Sequence, residues 1–136
     1  MTFHFTAPSG SPGNLPPSVL VDTVRCWTQA RREGRLTQPS LANRLDLFDC
    51  AVLAPVLDSF CFLLEFALDR PFRMGESRQL SSDERLMLTL LEGPELRTVT
   101  LPCDRTRGAL LDLAIRSARI MIALTLRQAR KVKVKG

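Results

Sequence analysis

From Arg105 to Lys131, apolar side chains recur at every third or fourth position in two adjoining rows. Leu110, Leu113, Ala114, Ser117, Met121 and Leu124 form one row, and Leu111, Ile115, Ala118, Ile122 and Leu126 form the other. That period puts each row on one face of an α-helix. The two rows together make an apolar arc too wide for a single neighbour, so this helix has to touch two. Opposite them runs a narrow, mostly basic ridge of Asp112, Arg116, Arg119, Arg127 and Arg130. Such a helix needs other helices to cover it. The composition agrees, because Leu and Arg are plentiful while tyrosine is absent and strand-favouring residues are comparatively sparse. A chain of 136 residues has room for one ordinary domain. The expected fold is all-α, a compact bundle of four to five helices.

The other elements follow from punctuation and period. Residues 1–17, rich in Pro, Gly and Ser, bury too little to offset their ordering and are expected to form a flexible arm. Within it, Phe3 and Phe5 are the side chains that could dock. The domain proper is expected over 18–130, followed by a basic tail at 131–136. Ser18 should cap a first helix that carries Val21, Val24 and Thr28 on one face and stops at Gly34. After a connector at Leu36–Pro39, a second helical region should run from about Ser40 to Asp69. Its stripe is Leu41, Leu45, Phe48, Val52, Val56, Phe60, Leu63 and Ala67, and Pro55 should kink or break it near 51–55. A loop at 70–80 precedes the sharpest local signal, Ser81-Ser-Asp-Glu84. That is a capping box opening a helix that ends at Gly93-Pro94. Glu95–Leu101 reads as an extended connector, and Asp104 as the N-cap of the last helix.

Several chemistries lack their residues. Neither phosphate-loop glycine pattern occurs, there is no tyrosine, and the single histidine, His4, lies in the arm. Cys26, Cys50, Cys61 and Cys103 form no CxxC pair, so neither a metal nor another cofactor is expected, and the thiols fit a reducing cytoplasm. Paired carboxylates remain: Asp46 with Asp49, and Asp58 with Glu65 in a strongly apolar stretch. The Asp58/Glu65 pair marks a third reading, a small enzyme or ligand-binding domain, against the simpler expectation of ion pairs with Arg116 or Arg119. The N-terminus has no signal-peptide pattern. Cys50–Leu68 and Leu110–Leu126 carry internal charges that would each cost about 2.5–3.5 kcal/mol at a bilayer centre. Both read as core helices, without membrane insertion.

Two interaction readings follow. The net charge of +5 resides in the last ten residues, where all three lysines lie; positions 1–126 are balanced. Arg116, Arg119, Arg127, Arg130, Lys131, Lys133 and Lys135 could therefore contact nucleic-acid phosphates, though no aromatic residues interleave with them for stacking. The favoured reading is a small, non-enzymatic bacterial protein, regulatory or adaptor in role, that works through helix-mediated protein–protein contact. Phe60, Phe62, Leu63, Phe66, Ile120 and Leu124 are its candidate interface residues. The excess of apolar helix surface points to a homodimer.

Overall fold

The computed structural model describes the backbone of residues 15–135 and the side chains of 15–129. Phe3, His4 and Phe5 lie outside this range, as do the side chains of Arg130, Lys131, Lys133 and Lys135. The chain is all-α, with six helices and no strand among the described residues. They are α1 (Pro17–Arg32), α2 (Thr37–Asp46), α3 (Ala54–Leu68), α4 (Ser82–Glu92), the single-turn α5 (Arg97–Thr100) and α6 (Arg105–Lys135).

Local chemistry sets most boundaries. Pro16 occupies the N-cap position of α1 and Pro17 its first turn, so the helix opens on prolines and Ser18 makes no cap. Just before it, Leu15 is already buried. Gly34 takes the left-handed conformation (φ 69°) just past the end of α1, as its place in the sequence suggests. The expected connector at Leu36–Pro39 is instead the first turn of α2, where Pro39 lies too early to break a helical hydrogen bond.

The expected second helical region, Ser40 to Asp69 with a kink or break near 51–55, is two separate helices. Cys50 N–H bonds back to the Leu45 carbonyl, Asp49 turns left-handed (φ 58°), and a 3-10 turn at Ala51–Leu53 leads into α3. Pro55 does not kink an interior; it sits in the first turn of α3. The register changes across this break. Phe48 and Val52 come out exposed, and Leu53, Leu57, Phe60, Cys61 and Leu64 form the buried face.

α4 opens as the sequence predicts. Ser81 Oγ accepts the Glu84 N–H at 3.0 Å, and Ser81 N–H donates to Glu84 Oε1 at 3.0 Å. Asp104 caps α6 through the Arg107 N–H at 2.9 Å. The expected extended segment at Glu95–Leu101 is instead the helical turn α5. Leu96 and Val99 are exposed, so their spacing reports no buried face.

One core joins the elements. Trp27 of α1, Leu41 and Leu45 of α2, Phe60 and Leu64 of α3, Met87 of α4 and Leu111 of α6 are its fully buried centre, with Phe72 from the loop. α6 packs mainly on α3, and more lightly on α4. Arg107, at the start of α6, ion-pairs with Asp69 (3.3 Å) and stacks on Phe66, both at the end of α3. The two helices therefore run antiparallel. α6 spans about 46 Å, roughly twice the length of α3.

A polar clasp closes the far side. Glu84 is wholly buried, and Arg25 binds it with two donors at 2.7 and 3.1 Å while also donating to the Ser77 and Gln79 carbonyls. Burial pushes the Glu84 carboxyl up, but the Arg25 bond and the Ser81 and Gly75 N–H groups hold it below its usual range. Gly75 has no alternative here, because a Cβ would collide with the Gln79 carbonyl and Glu84 itself. Asp83, also buried, takes two bonds from Arg70 (both 2.7 Å) and one from the Arg73 N–H; against its burial, these likewise hold it low.

Candidate interaction face

The two rows of α6 meet different fates. Leu111, Ile115, Ala118 and Ile122 are buried against α3 and α4. The other row, apart from the buried Ala114, faces outward beside α3 and bounds an open groove of about 560 Å³. On the α6 side stand Leu110, Leu113, Ala114, Ser117 and Met121; on the α3 side stand Val52, Pro55, Val56, Ser59 and Leu63. No charged residue lines this groove. Leu113 and Val52 are each 61% exposed, and Leu124 (46%) continues the row one turn further. Phe48, in the α2–α3 connector, and Ile120, on the shoulder of α6, are exposed nearby in the chain.

The six interface residues predicted from sequence divide among several surroundings. Phe60 belongs to the core, 1% exposed, and cannot face a partner. Phe62 and Phe66 are exposed, and each lies against an arginine of the same chain. Phe62 meets Trp27 edge-on at 5.3 Å with the Arg31 guanidinium 4.7 Å above it, and Arg107 lies 4.7 Å over Phe66. Leu63 lines the groove. Ile120 and Leu124 are open on α6. Sequence reasoning missed Val52, Pro55 and Leu113 as members of the face. Leu113 lay in the correct α6 row, while Val52 had been placed on the core stripe.

The carboxylates do not find the expected partners. Asp58 accepts the Trp27 indole N–H at 3.0 Å, and Glu65 pairs with Arg31 (2.8 Å) and accepts the Phe72 N–H (3.0 Å). Neither reaches Arg116 or Arg119. Asp46 and Asp49 are exposed near the α2–α3 break, and no cluster of three or more possible metal ligands occurs among the described residues.

The basic ridge is partly committed to structure. Arg119 donates to the Leu90 and Gly93 carbonyls, both at 2.7 Å, and so caps the end of α4. With Arg116 and Arg97 it borders a second depression of about 540 Å³ between α5 and α6. There Arg97 forks onto Asp112 at 2.8 and 3.1 Å, lies across Gly108, and lowers the Asp112 carboxyl. Arg127 is exposed.

The thiols are reduced. Cys50 and Cys61 are buried, Cys26 and Cys103 partly so, and burial pushes the Cys61 thiol up, which makes it a poor nucleophile. Ala51–Leu68 has the length and hydropathy of a membrane span. Yet one face of it, Leu57, Phe60, Cys61 and Leu64, fills the core. Comparison with protein-family models, with curated proteins and with solved structures finds no match to this chain.

Proposed function

We propose that this chain is a non-enzymatic protein that acts through helix-mediated contact at the α3/α6 face, and that it does so as a homodimer. The observation that carries the reading is the charge-free groove. An apolar row about four turns long on α6, Leu110 to Leu124, is left largely outside the core, beside an equally apolar strip of α3. Contiguous apolar surface of this kind marks an interaction site, and pairing of identical patches is the commonest way to cover it. The carboxylates that could have served catalysis, Asp58 and Glu65, are each occupied in packing contacts, which supports the non-enzymatic part. Four free cysteines suit a reducing bacterial cytoplasm.

The test is size-exclusion chromatography with light scattering, at low and high salt, with absorbance followed at 260 and 280 nm. The wild type should elute with a dimer mass and a protein-like absorbance ratio at both salts. Leu113→Asp should give a monomer with unchanged helicity by circular dichroism. A wild-type monomer across the micromolar range would defeat the proposal. A 260-rich peak that collapses in salt would replace it with nucleic-acid binding.

A further inference from the structure

Three guanidiniums line the depression between α5 and α6, and the chain uses them unequally. Arg97 is spent. Its Nε and Nη2 fork onto both oxygens of Asp112, and its Nη1 donates to the Leu101 carbonyl at 3.2 Å and to the Cys103 sulfur at 3.4 Å. Arg119 is fixed but only half used, because Nη2 alone reaches the Leu90 and Gly93 carbonyls. Arg116, one turn before it on α6, makes no hydrogen bond or ion pair among the described residues. Like charges at i and i+3 on a helix repel. The carboxylate that should relieve them, Asp112, stands one turn back with both oxygens already taken by Arg97. Glu95, the other carboxylate on the lining, is exposed and makes no ion pair among the described residues.

The walls add shape to this charge. Leu96 and Ile120 both line the depression while being 73% and 52% exposed, so two large apolar side chains are held in water beside the free guanidinium. Ile115 and Leu90, both buried, complete the apolar lining. The volume of about 540 Å³ falls within the usual range of small-molecule sites, about 300–1,000 Å³. With three guanidiniums and two carboxylates on the lining, one positive charge is left over. That balance suits a monoanion, and Glu95 opposes a polyphosphate. A carboxylate matches the planar fork of arginine with two parallel hydrogen bonds.

We infer that the α5/α6 depression binds a small carboxylate with an apolar body, its carboxylate held by Arg116 and the unused nitrogens of Arg119 and its hydrocarbon laid between Leu96 and Ile120. Arg97 and Asp112 serve as the rigid wall behind it. This site shares no lining residue with the α3/α6 groove and does not depend on self-association.

Isothermal titration of the full chain with octanoate and benzoate, at two temperatures, tests it. Octylamine, the same hydrocarbon with the opposite charge, is the control. Both carboxylates should bind saturably, one per chain, and octylamine should not. Arg116→Gln should weaken octanoate binding about tenfold or more, as expected for loss of a charge-assisted hydrogen bond. Arg116→Lys, which keeps the charge without the fork, should fall between the two. Because Arg116 is exposed, the urea midpoint of Arg116→Gln should match the wild type, so that lost binding belongs to the site and not to the fold. Ile120→Asp should abolish binding. Absence of saturable heat with either carboxylate at millimolar concentration would overturn the inference, as would equal binding of octanoate and octylamine. Octanoate binding that survives Arg116→Gln but is lost in Leu113→Asp would overturn it too, by moving the ligand to the α3/α6 groove.

Discussion

The two apolar rows of α6 are made of the same residue types on the same helix, and they differ in what lies across from them. Leu111, Ile115, Ala118 and Ile122 meet α3 and α4 and vanish from solvent. Leu110, Leu113, Ser117 and Leu124, a third of a turn away, meet only the edge of α3 and remain open. The buried row owes its cover partly to the polar clasp, since Arg25–Glu84 fastens α4 to α1 and so fixes one wall of its slot. Hydropathy alone therefore says that a helix wants neighbours without saying whether they belong to its own chain. That depends on how many other elements the chain can bring to it.

Mutations sharpen this contrast. Leu111→Ala, in the buried row, should cost about 2–5 kcal/mol of folding stability by urea denaturation. A loss below about 1 kcal/mol would mean that the two rows are not different in kind. Glu84→Ala leaves the Arg25 guanidinium without its main partner and should cost about 3 kcal/mol. The clasp also has a pH signature. The folded carboxyls of Glu84 and Asp83 lie below their unfolded values of 4.5 and 3.8. Their contribution is thus fully present above that range and lost as pH falls through it toward the folded values. The urea midpoint should fall between about pH 5 and pH 3, and fall less steeply in Glu84→Gln; equal slopes would remove the clasp from the account. Asp104→Ala, which strips the α6 cap, should cost about 1 kcal/mol. Leu113→Ala, in the open row, should change monomer stability by under about 0.5 kcal/mol while weakening self-association. A large effect on folding in dilute monomer would close the groove into the core and erase the comparison.

What was legible in the sequence was local. The Ser81–Glu84 box, the Gly34 stop, the Asp104 cap and the two rows of α6 each depend on residues within a few turns of one another, and each is present in the structure. What was illegible depended on distance or on competition. Arg25 and Glu84 are 59 residues apart, and with sixteen arginines available nothing in the chain selects that one. Charge alone pairs Asp58 and Glu65 with Arg116 or Arg119 of α6. Asp58 instead met an indole N–H, and Glu65 met Arg31 and a backbone amide. The apolar stripe from Leu41 to Ala67 ran unbroken across a helix break because its period survived while its direction in space did not. The open groove was half visible: its α6 side was read as a row, but its α3 side was hidden by that same false continuity.

Trp27 is wholly buried, bonded to Asp58 and edge-on to Phe62, and the chain has no second tryptophan and no tyrosine. The molecule therefore carries one intrinsic fluorophore, placed where α1 meets α3 and on a different face of α3 from the groove. Its emission reads the integrity of the core as a single uncontaminated signal. It is blind to what docks on the open row. Light emitted by this protein thus follows folding alone and leaves assembly to be read by other means.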